Sequence, residues 1–466
     1  MTTNHVQGIQ QHSDFWRGAL FGMVTGIASL LSYQYLSGIL REPRLVSRSL
    51  FSEEEQFESK EALAMFIATE SMKAGVRTRY LTRDISKKVL HSGYRNFREC
   101  WARDFGFAAY GMLALKQYDV VKETLESFFW HQRKNGQLPV KLQSMDPVTR
   151  FLHSLFEREQ PTHRIMVPNY FSAHGAPSLD GQALLIISAL QYVSDAKDTE
   201  FLQTHWHTLE LALRWIRTYT ESSCGLLIQG GYSDWTDSIA RRGIVLYTNV
   251  LYWKVLHEMA RCAETLDRRG EAAQLSYCAD AVAQSIQDRF WREDLGYFVT
   301  SKKLSNLSSD GNLLAIAWGL ASAEQTRSIL NVMEEARMSD PVPTRVAHPP
   351  YPPELVAIEN HIAGLSNYHT DASWLWLGAW HLIALTQLGD QEHAKKLLEC
   401  LVDVIVRDRQ INEAHGPDGK PLGSFWYKAE APLIWNAGMV IYACHVYEQK
   451  FPTGNTMLSL LGPLTE

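Results

Sequence analysis

Carboxylates set among aromatic residues are the side chains of this sequence best suited to chemistry. The segment GGYSDWTDSIARRG, residues 230–243, places Asp234 and Asp237 three residues apart with Trp235 between them. A carboxyl group beside an indole in an apolar pocket has a raised pKa, as a general acid requires. The structural alternative is that Asp237 only caps the following helix, a contribution of about 1 kcal/mol.

A second acidic segment, INEAHGPDGKPLGSFWYKAEAPLIWNAG, occupies residues 411–438. Glu413 lies there in a stretch rich in turn residues, and Trp426 and Trp435 follow it. Glu430 comes just before a predicted helix, where a carboxylate favours the helix dipole. One protonated and one ionised carboxyl are what cleavage of a glycosidic bond needs. Taken alone, Glu413 is equally compatible with a solvated surface loop.

Two further segments place polar and aromatic side chains at the start of predicted helices. In CWARDF, Arg103 and Asp104 lie next to Trp101 and offer donors and a carboxylate to sugar hydroxyls. In NYHTDASWLW, His369 and Trp374 precede an apolar run. Each has a structural alternative, because Asp104 is also a suitable helix cap and a lone histidine is more often structural.

Other kinds of site have no support in the sequence. The motifs GxSxG, HExxH, GxxxxGK[ST] and GxGxxG are absent, and the six cysteines lie far apart without metal-binding spacing. We therefore expect no cofactor and no metal, and reduced thiols. A net charge of −6 without a basic run also argues against nucleic acid as a partner.

The elements that must position these residues are helices. Apolar residues recur at three- and four-residue spacing in about twelve segments, whereas strand alternation is scarce. Short turns join them in pairs, as at residues 195–198 and 389–390. The sequence therefore predicts an all-α fold, an (α/α)6 toroid of six helical hairpins. Long loops bearing aromatic and acidic residues would form its central pocket; they comprise residues 135–178, 224–245, 340–370 and 411–432.

The N-terminal segment, residues 1–50, is distinct from the predicted catalytic domain, residues 51–466. Residues 18–40 carry no charge over 23 positions, enough for a membrane-spanning or interfacial helix. Four glycines and several hydroxyl side chains weaken that prediction and favour a soluble helix packed on the domain. Arginines follow the stretch more than they precede it, so both readings predict a cytoplasmic domain.

The order of these motifs resembles that of the (α/α)6-toroid glycosidases. That group includes glucoamylase, the glucosidase half of glycogen-debranching enzyme, trehalase, processing α-glucosidases and the neutral or alkaline invertases. The matching stretches, spread in order over about residues 57–450, are WARD from Trp101, WTDS from Trp235 with Arg242 and Gly243 after it, NYHTDASW from Asn367, Glu413, and WNAG from Trp435.

The resemblance implies a role for each matching residue. Asp237 would be the general acid and Glu413 the general base of an inverting enzyme, with the two carboxyls roughly 6.5 to 9.5 Å apart. Asp234 is an alternative alignment for the acid, and Asp180 in PSLDG resembles a carboxylate that shapes the pocket. The expected substrate-binding residues are Trp101, Arg103, Asp104, Asp180, Asp234, Trp235, Arg242, His369, Trp374, Trp426 and Trp435.

These implications lead to an inverting, exo-acting α-glucosidase acting on a short or branched glucoside. Carbohydrate is its expected partner, with membrane association possible through residues 18–40. Sucrose hydrolysis by an invertase is the alternative, because RECWARDF and SLDG also resemble the invertase versions of those segments. A non-catalytic carbohydrate-binding toroid is a third reading. A terpene-cyclase toroid is disfavoured, since no DDxxD motif occurs. The sequence leaves the oligomeric state open.

Overall fold

The computed structural model describes residues 35–44 and 57–452. These residues fall into two compact units. One contains residues 35–44 and Met145–Pro161, and the other contains residues 57–144 and 162–452. Of the predicted N-terminal helix at residues 18–40, residues 18–34 lie outside the described part. Within the described part, no helix is both long and apolar enough to cross a membrane.

The smaller unit consists of two short helices. Residues 35–41 form α1, and Pro147–Leu155 form α5, which begins with Asp146 as its N-cap. The Tyr35 and Thr149 hydroxyls are hydrogen-bonded to each other. The amide of Glu159 donates to the carbonyl of Pro43 at 2.8 Å, so the two segments are joined at both ends.

The larger unit is helical. Its helices are α2 (Lys60–Gly75), α3 (Ala102–Ala114), α4 (Tyr118–Trp130), α6 (Leu179–Ala196), α7 (Thr199–Arg217), α8 (Leu246–Thr265), α9 (Arg269–Phe290), α10 (Ser309–Ala317), α11 (Ala323–Glu335), α12 (Ile358–Ile362), α13 (Leu375–Leu388), α14 (Gln391–Asp408) and α15 (Ile434–Lys450). Apolar spacing predicts helices over residues 179–194 and 246–266, and these agree with α6 and α8 to within two residues.

Six of the helices in this unit form an inner ring. In order around the ring α3, α6, α8, α10, α13 and α15 each contact the next, and α15 contacts α3 to close it. Helices α3 and α13 are buried on nearly every side, as helices enclosed by protein are. In α3, for example, every residue from Ala102 to Leu113 is buried. Gly111 of α3 and Gly438 of α15 let the two backbones touch, since a Cβ on Gly111 would lie 2.4 Å from the Gly438 Cα.

Outer helices follow the inner ones along the chain. α4, α7, α9, α11 and α14 each come directly after an inner helix, whereas the sixth outer helix, α2, precedes them all and packs on α15. Short capped turns reverse the chain: Asp198 accepts from the Phe201 amide at 2.9 Å to begin α7, and Gly389 ends α13 with a φ of +83°. The predicted six-hairpin toroid is confirmed.

Three small antiparallel sheets occur in the loops of the described chain. They pair β1 (Val76–Tyr80) with β2 (Ser86–Leu90), join β3 (Cys100–Trp101), β4 (Lys141–Gln143) and β5 (Val167–Asn169), and join β6 (Trp291–Arg292), β7 (Tyr297–Ser301), β8 (Leu304–Ser308) and β9 (Ala347–His348). The strands have two to five residues each, too few for a period-two pattern to be recognised in the sequence.

Candidate active site

A cavity of about 250 Å³ lies where several inner helices begin. It is lined from the start of α3 and from the loops before α8, α13 and α15. Both predicted catalytic residues line it together with seven predicted binding residues, namely Asp237 and Glu413 with Trp101, Arg103, Asp104, Trp235, His369, Trp374 and Trp435. A larger cavity of about 560 Å³ lies between α11, α13 and α14, but none of the predicted site residues lines it.

Asp237 projects from the loop between α7 and α8 into the cavity. Its side chain is 47% exposed because it faces the open space of the cavity. Helix α8 begins nine residues later, so Asp237 does not cap that helix. Arg103 Nη1 lies 3.7 Å from Oδ2, and His369 Nδ1 lies 3.9 Å from Oδ1. Burial among protein atoms raises the pKa of Asp237 to about 6, although Arg103 opposes the rise.

Arg103 is fixed by a buried carboxylate. Its Nε donates to Asp180 Oδ2 at 2.6 Å and its Nη2 lies 3.3 Å from Oδ1, while the Ser178 hydroxyl donates to Oδ1 at 2.5 Å. Burial alone lowers the pKa of Arg103, but Asp180 and Asp237 raise it, so the guanidinium stays cationic. Asp180 therefore does not line the cavity; it orients the arginine that does.

Glu413, in the loop before α15, is held by three hydrogen bonds. The Tyr427 hydroxyl donates to Oε2 at 2.6 Å, the Glu430 amide donates to Oε2 at 2.7 Å, and the Tyr368 hydroxyl donates to Oε1. Burial raises the pKa of Glu413 to about 7, while the three donors lower it. The carboxylate form is thus the one that the surrounding donors favour.

Asp104 is a third carboxyl on the cavity wall. It lies in the first turn of α3, but Trp101 occupies the N-cap position, so Asp104 is not the cap of that helix. Burial raises the pKa of Asp104 to about 7; Arg103 lowers it and the neighbouring Glu413 raises it further. Among the described residues, no side chain is hydrogen-bonded to its carboxyl.

Aromatic rings form one side of the cavity. Trp235 is 2% exposed and contacts His369 and Trp374 edge-on, with ring centroids 5.2 and 5.6 Å apart. His369 stacks on Trp374 at 5.3 Å, and its Nδ1 is hydrogen-bonded to the Ser238 hydroxyl at 2.9 Å. Burial, with Arg103 and Arg241 adding to it, holds the pKa of His369 well below its usual value, so the imidazole is neutral.

Asp234 lies beneath this wall and does not line the cavity. It accepts from Arg241 Nε at 2.6 Å, and Arg241 Nη2 reaches Asp310 at 2.6 Å. Asp310 also accepts from the Trp235 indole. Asp234 therefore supports Trp235 from behind. Arg242, the arginine expected to bind substrate, is exposed and outside the cavity lining, while its neighbour Arg241 is fully buried.

Two residues of the segment 411–438, Trp426 and Glu430, also do not line the cavity. Trp426 is 58% exposed and does not line it. The carboxylate of Glu430 accepts hydrogen bonds from the four successive backbone amides of residues 94–97 and so anchors that loop. The predicted interaction of Glu430 with the start of α15 is therefore wrong. The carboxyl of Glu430 thus has a structural role, whereas its backbone amide donates a hydrogen bond to Glu413.

Six residues that line the cavity were not predicted from the sequence. They are Phe97, Asn360, Leu365, Tyr368, Tyr427 and Leu433. Tyr368 belongs to the NYHTDASW motif and Tyr427 directly follows Trp426, so both lie within segments predicted to contribute to the site. Within the described residues, no group of three or more His, Cys, Asp or Glu side chains is arranged to hold a metal ion.

Comparison with known proteins agrees with this fold. Residues 114–340 match the family model described as the bacterial alpha-L-rhamnosidase six-hairpin glycosidase domain. No curated protein matches the sequence. A rhamnosidase from Klebsiella oxytoca with rhamnose bound superposes with a TM-score of 0.59 at 13% identity, covering 83% of this chain. The chain spans 64% of the length of that rhamnosidase.

A second similar structure is matched over nearly its whole length. The family GH63 mannosylglycerate hydrolase from Thermus thermophilus, in complex with Tris, has a TM-score of 0.59 at 11% identity, covering 81% of this chain and 99% of that one. The same hydrolase in complex with glucose has a TM-score of 0.58 at 12% identity. At such identities the likeness concerns the fold.

The six-hairpin fold and the matched domain are those of glycosidases. The class predicted from the order of the motifs is therefore confirmed. Which glycoside is cleaved, and by which residues, is a separate question that rests on the geometry of the cavity.

Proposed function

We propose that the protein is an inverting, exo-acting glycoside hydrolase that removes one terminal glucose from a short or branched α-glucoside. The observation that carries this proposal is that Asp237 and Glu413, two carboxyls with raised pKa values, line one small cavity. At about 250 Å³ the cavity is smaller than the roughly 300 to 1,000 Å³ typical of larger ligands, which favours a single sugar unit.

Asp237 is proposed as the general acid. Its carboxyl faces the cavity, with Arg103 Nη1 at 3.7 Å and His369 Nδ1 at 3.9 Å. A raised pKa keeps part of this group protonated near neutral pH, so that it can donate a proton to the departing glycosidic oxygen. Asp234 is a poorer candidate, because it is bound by Arg241 Nε at 2.6 Å and does not line the cavity.

Glu413 is proposed as the general base. It takes a proton from water, whose oxygen attacks the anomeric carbon from the face opposite the leaving group. The bond to the leaving oxygen breaks as that oxygen receives the proton of Asp237. The products are a free sugar of inverted configuration and an alcohol, and proton exchange with solvent restores both carboxyls. Tyr368 and Tyr427 orient Glu413 for this step.

The remaining cavity residues are proposed to bind the sugar. Arg103 and Asp104 offer a cation and a carboxyl to hydroxyl groups, and both are held by rigid α3. Trp101, Trp235 and Trp435 provide apolar ring surface for the carbon face of the sugar. The glucose complex of the Thermus thermophilus hydrolase supports a sugar of this size in the same fold.

The proposal is tested by product analysis on a small panel. Purified protein is incubated with isomaltose, sucrose, 4-nitrophenyl α-D-glucoside and 4-nitrophenyl α-L-rhamnoside, and the first anomer released is identified by proton NMR. We expect cleavage of the α-glucosides, with β-glucose appearing first. Cleavage of sucrose alone would identify an invertase, and sugar binding without turnover would remove the catalytic assignment. Retained configuration would require a covalent intermediate and overturn the roles of both carboxyls.

An α-L-rhamnosidase is the second candidate. The specific observation in its favour is the match of residues 114–340 to the rhamnosidase six-hairpin domain. The rhamnoside in the same panel separates it from the glucosidase, because a six-deoxy sugar lacks the hydroxyl that a glucose site would bind.

A cytoplasmic location is also proposed. All six cysteines lie in the described part of the chain and are free, as is usual for proteins of reducing compartments. Membrane association through residues 18–40 and the division into residues 1–50 and 51–466 stay predictions. Recovery of the protein in the supernatant of a detergent-free lysate supports the location, and recovery only with detergent contradicts it.

A further inference from the structure

A buried serine and a buried histidine meet beside the proposed general acid. The Ser238 hydroxyl is hydrogen-bonded to His369 Nδ1 at 2.9 Å, and the Ser238 amide donates to the same nitrogen at 3.4 Å. His369 Nδ1 also lies 3.9 Å from Asp237 Oδ1. Ser238 and His369 are 4% and 2% exposed. One ring nitrogen therefore faces an amide, a hydroxyl and the carboxyl that is proposed to act as the acid.

The direction of the Ser238 amide is fixed by the neighbouring backbone. Residues 238–240 are joined to residues 355–357 by two backbone hydrogen bonds of 2.8 Å. In one of them the Ser238 carbonyl accepts from the Ala357 amide. Because these bonds hold the segment on both sides of Ser238, its amide cannot turn away from His369 without breaking them.

The contact with this amide identifies the protonation state of each ring nitrogen. A backbone N–H can only donate, so the Nδ1 atom of His369 that accepts from it carries a lone pair and no proton. Burial holds the pKa of His369 well below its usual value, and Arg103 and Arg241 lower it further, so the ring is neutral and carries one proton. The hydrogen-bond network therefore assigns that proton to Nε2.

The Nε2–H group of His369 is available to a ligand. Within the described chain Nε2 has no hydrogen-bond partner, yet it is not among the polar atoms that protein seals from open space. His369 lines the catalytic cavity, and its ring is held there by the rings of Tyr368 and Trp374, with centroids 4.2 and 5.3 Å away. Since polar groups inside proteins are nearly always hydrogen-bonded, a donor left open toward a cavity indicates an acceptor on the ligand.

We infer that Ser238 is a positioning residue that fixes the Nε2–H tautomer of His369, so that His369 donates a hydrogen bond to one ring hydroxyl of the bound sugar. The donation to the sugar rests on the proposed function. The opposite tautomer would present a lone pair to the cavity and a proton toward Asp237, and that proton would stabilise the carboxylate form of the proposed acid. By keeping the proton on Nε2, Ser238 serves both recognition of the sugar and the acidity of Asp237.

The tautomer can be measured without a substrate. Protein with ¹⁵N-labelled histidine is observed by long-range proton–nitrogen NMR, and the His369 signals are those that disappear in His369→Gln. We expect an unprotonated Nδ1 and a protonated Nε2 in the wild type and in Ser238→Thr, which keeps the hydroxyl. Ser238→Ala should show both tautomers, because the remaining amide is a weak donor at 3.4 Å. Ser233→Ala is the matched control, since the Ser233 hydroxyl donates to the Gly230 carbonyl in the same loop.

Deoxy analogues of the substrate test the contact with the sugar. The glycoside that the wild type cleaves is compared with analogues that each lack one ring hydroxyl. At one position kcat/KM of the wild type should fall by about 10-fold, the loss expected for one hydrogen bond. At that position Ser238→Ala should lower the ratio of parent to analogue by at least ~3-fold, whereas Ser238→Thr and Ser233→Ala should keep it. Circular dichroism of each variant establishes that it is folded.

Each arm has an outcome that would overturn the inference. A protonated Nδ1 in the wild type, or an unchanged tautomer in Ser238→Ala, would remove the positioning role of Ser238. Analogue ratios near one at every position, or a ratio that Ser238→Ala leaves unchanged, would remove the donation to the sugar and leave the proposed function intact. Failure of the wild type to cleave any glycoside would contradict the proposed function, and the wild-type tautomer would still decide the role of Ser238.

Discussion

Replacing Asp104 by Asn should stabilise the protein at high pH while it weakens substrate binding. The two side chains have nearly the same shape, so the substitution removes an ionisable group from the wall of the cavity with little change in packing. Burial raises the pKa of Asp104 from 3.8 to about 7, which means that the folded protein holds the ionised form at a cost. The asparagine variant does not carry that cost.

The magnitude follows from linkage between ionisation and folding. A carboxyl whose pKa is higher in the folded state contributes stability that is present below the unfolded value and is lost as pH rises toward the folded value. At 1.36 kcal/mol per pH unit, the rise from 3.8 to about 7 corresponds to about 4 kcal/mol at pH 8. Between pH 5 and pH 8, the stability advantage of the variant should therefore grow by about 3 kcal/mol.

Urea unfolding of both proteins at pH 5, 6, 7 and 8, followed by tryptophan fluorescence, measures this difference. Any constant packing effect of the substitution cancels, because only the change with pH is compared. Asp280→Asn is the matched control for the loss of one carboxyl, since Asp280 is exposed on outer helix α9. A difference for Asp104→Asn that stays flat between pH 5 and 8 would mean that Asp104 is ionised throughout, and would refute the reasoning.

Four further predictions concern catalysis. Glu413→Gln should lower kcat by at least ~10²-fold with the circular dichroism spectrum unchanged, because water activation is lost; near-normal turnover would remove the base assignment. Asp237→Asn should slow alkyl glycosides far more than 4-nitrophenyl glycosides, because a stable leaving anion needs little protonation, and an equal loss on both would contradict the acid role. The pH profile of kcat/KM should be a bell whose limbs lie near pH 6 and 7, the values of the coupled carboxyls. Tyr427→Phe removes a donor that lowers the pKa of Glu413, so the limb that reports Glu413 should move to higher pH, and an unmoved profile would show that this hydrogen bond does not influence the base.

Much of the fold could be predicted because its signals are local. Helices such as α3 and α13 are apolar on nearly every side, and the polar turn around Asp198 marks where one helix ends and the next begins. Apolar spacing and caps are properties of a few neighbouring residues, so they can be read without knowing the partners. The contact between α15 and α2 could not be predicted in this way, because it joins helices near the two ends of the described chain.

The sequence predicted the types of the site residues and the segments that carry them. It did not predict which residue of a segment faces the cavity. In the hairpin after Glu413 the sequence favoured Trp426, whereas the neighbouring Tyr427 lines the cavity. Likewise Arg241 is buried and Arg242 is exposed. Adjacent residues of a loop project in different directions. Because the two residues of each pair are chemically alike, the sequence does not show which of them faces the cavity.

The sequence by itself thus determined which segments meet at the centre of the toroid, because each motif directly precedes an apolar helix that must be buried. Tertiary structure decided how the carboxyls are tuned. Tyr368 lies 45 residues before Glu413 in the chain and Asp180 lies 77 residues after Arg103, yet each makes a direct hydrogen bond to its partner. Burial and hydrogen bonding set the pKa of a carboxyl, and both depend on atoms that only the folded chain brings within about 3 Å of it.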